Sequence, residues 1–218
     1  MNIVINKGVI IGGKSLNEHF EIINYKEAID YIKDAVKKNT SYNKRLLLDI
    51  HQLILKNINP QDAGKYRNID VFISGSEHKP PTFFQVESLM EDYFKYYEDN
   101  KDILNPVLLS AELHNRLVTI HPFIDGNGRI SRLIMNLVLL QHGFPITNIS
   151  SRNDLREEYY KSLETSQVNG NHEVFNLFIV KNVKESLIKY LGVISTNGEE
   201  SEKGLYFYNR VKELIKNK

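Results

Sequence analysis

The sequence predicts an all-α fold, a mainly helical bundle carrying one small β-hairpin. Apolar residues recur at three-to-four spacing in segment after segment, which is the signature of helices with one buried face. Only one stretch changes to a short β-prone run bounded by turn residues. The 218 residues, 41% hydrophobic and 25% charged, fall within the range of one globular domain large enough to bury a core.

Residues 22–37, "IINYKEAIDYIKDAVK", place Ile22, Ile29, Ile32 and Val36 on one side and predict the first helix. The second is "KRLLLDIHQLILKNI", patterned through Leu47, Ile50, Ile54 and Ile58 and closed by the turn residues of "NPQDAGKYRN". "NIDVFISGSEHKPPTFF" then carries a β-prone run at Val71–Ile73, a Gly-Ser turn at 75 and 76 and a Pro-Pro stop, and predicts the hairpin. Helical spacing returns in "VESLMEDYFKYYED" through Leu89 and Tyr93, and Asn-Pro opens another helix from Asn105 to Thr119. After a polar turn, an apolar helix runs as far as "HGFP", and Ser151–Gln167 and Val174–Leu191 read as two more. "STNGEESEKG" reads as a polar linker before a short terminal helix at Leu205–Ile215, and no internal repeat is visible.

With 28 basic and 27 acidic residues the net charge is +1, so no global field draws nucleic acid, and any polyanion must be recognised locally. Cysteine is absent, which removes disulfides and thiolate metal sites. The N-terminus lacks the basic and apolar regions of a signal peptide, and no later segment reaches membrane-spanning length. The expectation is a soluble cytoplasmic protein with neither nucleic acid nor membrane as partner.

The chemistry concentrates in "HPFIDGNGRISR", residues 121–132, immediately before the apolar helix. Ile130, Leu133, Ile134, Leu137 and Val138 make that helix nearly central in the core, so its N-terminus is held rigidly. A helix start presents unpaired N–H groups and the positive end of the macrodipole, which suit a phosphate. Gly126 and Gly128 allow left-handed angles and close backbone approach, and Asn127 adds a side-chain donor. Arg129 and Arg132, three apart, bring two guanidinium groups within reach of adjacent phosphates. Asp125 suits such a pocket when a hard cation such as Mg2+ stands between carboxylate and phosphate. His121, with an ordinary pKa of about 6.5, is the proton acceptor near pH 7. Each residue alone has a bland reading, as turn, surface ring or helix side chain; their concurrence before a core helix does not. His114, on the preceding helix, is expected to pack and hydrogen-bond and is left out of the site.

"HPFIDGNGRISR" resembles the signature of the Fic family, H-x-F-x-[DE]-G-N-G-R-x-x-R, at every defined position. "AGKYR" at 63–67, "SGSEHKPP" at 74–81, "LHNRLVTIHPF" and "LLQHGFP" resemble further Fic segments in the right order, over roughly residues 8–191. The resemblance assigns residues 1–191 to a Fic domain, with motif 121–132 and a flap at about 70–81, and leaves 192–218 as linker and terminal helix. It implies an enzyme that transfers AMP from ATP to a Ser, Thr or Tyr hydroxyl of a protein and releases pyrophosphate. His121 would be the catalytic base, Asp125 the Mg2+ ligand, and Gly126, Asn127, Gly128, Arg129 and Arg132 the nucleotide-binding residues. Phe123 would anchor the motif in the core. Val71, Phe72, Ile73, Ser74 and Gly75 would form the flap that adds a strand to the target protein.

Many Fic proteins carry an inhibitory helix, [ST]-x-x-x-E-[GN], whose glutamate would act on Arg132. Only seven residues precede Gly8, and Ser195–Glu199 is followed by Glu200 rather than Gly or Asn, so the expectation is a form without that element. Phosphocholine or another nucleotidyl or phosphoryl transfer on the same fold is the alternative chemistry, and a non-catalytic nucleotide-binding module the alternative class. Intact "GNGR" favours AMP over phosphate, and retention of His121 and Asp125 favours turnover. A toxin restrained by a separate antitoxin, self-modification on one of the 12 tyrosines and a homodimer are all compatible with the sequence.

Overall fold

The computed structural model describes residues 15–149 and 153–197, together with Tyr206, Asn209 and Glu213. Seven helices occupy the described chain: α1 (Leu16–Lys37), α2 (Lys44–Leu55), α3 (Phe83–Asn100), α4 (Pro106–Ile120), α5 (Asn127–Gln141), α6 (Asn153–Asn169) and α7 (His172–Asn197). None is long and apolar enough to cross a membrane. The terminal helix expected at Leu205–Ile215 lies outside the described residues except at Tyr206 and two further positions, which are helical. α7 runs on through the start of the expected linker to Asn197.

α5 is the axis. It packs against α4, α1 and α2, and α4 in turn meets α3, α6 and α7. One core cluster gathers around Phe123, Leu47, Ile50 and Leu137, and a second lies beyond α4 and α5 around Tyr159, Phe175 and Ile179. Ile130, Leu133, Ile134, Met135, Leu137, Val138 and Leu139 are all fully buried, as the near-continuous apolar pattern requires of a central helix. Asn136 interrupts that pattern for a reason: its amide exchanges two hydrogen bonds with the Thr147 backbone, at 3.0 and 2.7 Å, and ties the following chain to the helix.

α1 starts six residues before the apolar pattern does, because Ser15 and Glu18 form a capping box. Its inward face is Asn24, Ala28, Ile32 and Ala35, while Ile22 lies half exposed. Asn24 is buried and donates to the Ile54 carbonyl at 3.2 Å, so a polar residue outside the apolar pattern belongs to the inward face.

The hairpin is not formed: among the described residues there is no strand, and 70–81 is an irregular loop. Val71–Ile73 has β-propensity but no ladder to join, and side chains from elsewhere take the place of cross-strand pairing. Arg67 donates through Nη1 to the Ile69 carbonyl at 3.0 Å and through Nη2 to the Pro81 carbonyl, closing the two stems. His78 Nε2 lies 2.9 Å from the Thr119 carbonyl, and Glu164 of α6 accepts from the Ser76 hydroxyl and the Glu77 amide at the tip. Gly75, at φ 79°, makes the turn.

Candidate functional site

α4 ends where the chain must turn sharply into the core. Its last residue hands over to His121 in a left-handed conformation, φ 52° and ψ 55°. Such angles cost a non-glycine residue about 1–2 kcal/mol. The His121 carbonyl is thereby turned out of the helix, where it accepts from Arg67 Nε at 2.8 Å. A hydrogen bond from a charged donor contributes about 1.5–3 kcal/mol, enough to offset the strain.

The ring of His121 is fixed as well. Nδ1 lies 3.2 Å from the Val118 carbonyl, which only accepts, so the proton sits on Nδ1 and the lone pair on Nε2. Burial holds this histidine below its ordinary pKa; the Val118 carbonyl pulls it back up, the Arg67 and His78 charges push it down, and Asp125 opposes them. At pH 7 the ring is a neutral base.

Phe123, fully buried, fastens the loop behind His121. It stacks on His51 with centroids 3.6 Å apart and tilts against Tyr66 at 5.5 Å. Burying such a side chain contributes about 1.5–3 kcal/mol. His51 then reaches past the ring: Nδ1 accepts from the Gly64 amide at 2.9 Å, so Nε2 carries the proton and donates to the Asp125 carbonyl at 3.0 Å. Asn127 closes the other side, its Oδ1 accepting from the Phe123 amide at 3.0 Å and its Nδ2 donating to the Phe123 carbonyl at 2.8 Å.

That arrangement changes two expectations. Asn127 is not a side-chain donor to a ligand, because both ends of its amide hold the loop; it has only its backbone N–H to offer. Gly126 has the left-handed angle, φ 83°, and a Cβ there would come within 3.1 Å of Ile54 Cδ1. Gly128 does not: it lies inside α5, where a Cβ would meet only Arg132 Nη1 at 3.6 Å. The first N–H groups of α5, from Asn127 to Arg129, have no partner four residues back, an arrangement whose chemistry suits an anion.

His121, Arg132 and the run from Asp125 to Arg129 all line one cavity of about 620 Å³. Ile73, Ser74 and Gly75 of the 70–81 loop face them across it, but Val71 and Phe72 do not, and Phe72 is 86% exposed. α6 supplies a wall that the sequence reading omitted, including Arg156, Tyr159, Tyr160 and Glu164. Arg132 interacts with the hydroxyls of Tyr25 and Tyr159. Tyr159 in turn lies 3.0 Å from Nε2 of His114, which is fully buried and held down to about 3, a packing role as expected.

Arg129 does not stand free beside Arg132. Its Nη2 binds Asp125 Oδ2 at 2.7 Å and its Nη1 binds Glu21 Oε1 of α1 at 2.9 Å. Asp125 is the one motif carboxylate, and no cluster of three His, Asp or Glu side chains suited to a metal occurs among the described residues. A single exposed carboxylate fits a cation that brings its remaining oxygens from phosphate and water, the habit of Mg2+.

Residues 41–139 match the sequence profile of the Fic/DOC family. The chain carries a Fic/DOC family domain. This Fic domain is 32% identical over 190 residues to the protein adenylyltransferase Fic of Nematostella vectensis, covering 86% of this chain and 43% of that protein. The chain spans about two fifths of the length of the curated relatives it matches. Among solved structures, Fic-1 (aa134–508) from C. elegans superposes with a TM-score of 0.79 at 28% identity, over 90% of this chain and 58% of that one. BepC of Bartonella tribocorum, solved with bound AMPPNP, shares the fold at a TM-score of 0.53 and 17% identity, over 78% of this chain and 89% of its own.

Proposed function

We propose that this protein is a protein adenylyltransferase, moving AMP from ATP to a Ser, Thr or Tyr hydroxyl of a target protein. One observation carries the reading: the Val118 carbonyl pins His121 Nδ1–H, leaving Nε2 basic on a ring that lines the same cavity as the helix-start amides of α5. A base beside an anion cradle suits transfer of a phosphorus group to a hydroxyl, where positioning and charge neutralisation do most of the work. The names of the similar proteins and the AMPPNP in the BepC structure support a nucleotide as donor.

In the proposed step the target oxygen bonds to the α-phosphorus, and the bond from that phosphorus to the oxygen bridging to the β-phosphate breaks. Pyrophosphate leaves with the bridging oxygen, and the hydroxyl proton passes to His121 Nε2. The amides of Asn127, Gly128 and Arg129 orient the phosphates, and Arg132 adds charge. Asp125 would hold Mg2+, which when bound supplies neutralising charge to the phosphate oxygens. The loop from Ile73 to Gly75, held over the cavity, aligns the incoming segment. Target, ATP and cation are the partners this reading needs.

Mg2+ with ATP labelled at either the α or the γ phosphate, added to the protein and a lysate, tests it. Label reaching protein from the α position supports AMP transfer. Label from the γ position alone replaces it with phosphorylation, and label from neither leaves a binding module.

A further inference from the structure

One side chain joins two parts of the site that the sequence treats separately. The guanidinium of Arg67 has no exposed surface, and each of its three nitrogens donates to a backbone carbonyl. Nε holds His121, Nη1 holds Ile69 at the entry to the 70–81 loop, and Nη2 holds Pro81 at its exit. The backbone repeats the link, since the Arg67 amide donates to the Pro122 carbonyl at 2.9 Å. Asp70 is the one nearby carboxylate, 3.7 Å from Nη1 and half exposed, and its Oδ1 accepts from the Phe83 amide at 2.8 Å, so it too belongs to the stem.

An apolar side chain at this position would leave three main-chain oxygens without a donor, each costing about 1–3 kcal/mol, so the guanidinium is tied to this place by the oxygens it serves. The planar fork fixes the angles between its three acceptors, which a flexible ammonium cannot do. The carbonyl it holds at His121 belongs to the residue whose left-handed angles aim the ring, and the other two set the distance between the stems of the loop opposite. We infer that Arg67 is a positioning residue that couples the orientation of His121 to the placement of the 70–81 loop, so that the base and the surface aligning the target are set together.

The inference rests on the reading of His121 as the base, and its mark is a joint loss. Arg67→Lys keeps the charge but can serve one carbonyl well, and Arg67→Gln keeps a donor without a buried charge, so a folded variant is available for measurement. Two readings need no turnover: the tautomer of the His121 imidazole from ring nitrogen shifts, and amide hydrogen exchange at Ile73–Glu77. In the folded variant the Nδ1–H preference of His121 is expected to be lost and loop exchange to rise at least tenfold. ATP affinity should stay within threefold while kcat for AMP transfer falls at least tenfold. Glu164→Ala serves as the contrast: it frees the loop tip alone, raises exchange there and leaves the His121 tautomer in place. Change in one reading without the other, or in neither, overturns the coupling, as does a matching loss of ATP affinity, which would mark Arg67 as general scaffolding. If the wild-type protein transfers no AMP, the proposed activity fails, and the tautomer and exchange readings still decide the coupling.

Discussion

Both polar ends of the Asn127 side chain are bound to the backbone of Phe123, four residues earlier, at 3.0 and 2.8 Å. The pair locks the turn from which α5 emerges. Asn127→Ala would leave a buried N–H and a buried C=O unmatched, each costing about 1–3 kcal/mol, and Asn127→Asp would keep the accepted bond but set a buried carboxylate oxygen against the Phe123 carbonyl. Urea unfolding should therefore rank wild type above both variants, with ATP binding lost in the Ala variant. Equal stability of the three would refute the lock.

The two glycines of the turn should separate in their effects. Gly126→Ala meets both a left-handed angle and Ile54 Cδ1 at 3.1 Å, and should lower stability by about 1–2 kcal/mol or more. Gly128→Ala has ordinary helical space and should fold as well as wild type, but the added methyl crowds the start of α5 and should weaken ATP binding at least fivefold. Thermal melts and nucleotide titration of the two variants check this; a destabilised Gly128→Ala would contradict the placement of that residue.

Burial of histidines sets an acid limit on stability. His51 is held down to about 4 and His114 to about 3, and burial lowers His121 as well. In the unfolded chain each titrates near 6.5, so below that pH the unfolded state binds more protons than the folded one. The stabilising contribution is complete above about pH 6.5 and is lost as pH falls toward 4. The slope should approach about 1.4 kcal/mol per pH unit for each of His51 and His114. Urea unfolding from pH 7 to 5 should show the decline, with a shallower slope for His51→Gln. A flat profile over that range would contradict the neutral buried state of these rings.

The part of the site that lies within one stretch of chain was legible in the sequence, and the part assembled across it was not. Residues 121–132 carried the proposed base, the turn and the proposed cradle in order, and the apolar run behind them placed α5 at the centre. The loop at 70–81 is not the expected hairpin because β-propensity at Val71–Ile73 is local, while the loop is fixed by side chains: Arg67 clamps its stems at Ile69 and Pro81, His78 meets the Thr119 carbonyl of α4, and Glu164 comes from α6. "AGKYR" stood out as a segment, but nothing in its residue types said that Arg67 would reach His121, 54 positions away. His51 was hidden differently: at an inward position of α2 it read as one more helix residue, and its two bonds to Gly64 and Asp125 exist only once α2 packs under the turn. Asn127 shows the limit from inside the motif, since its type announced a donor but not the atoms it would serve.

The most direct test of the account compares wild-type protein with His121→Ala for transfer of label from α-labelled ATP to protein, with ATP affinity measured beside it. General base catalysis contributes roughly 10²–10⁴ in rate. A fall of that order is expected, with ATP affinity essentially unchanged, because the proposed cradle at Asn127–Arg129 does not include the ring. Transfer by His121→Ala at the wild-type rate would contradict it.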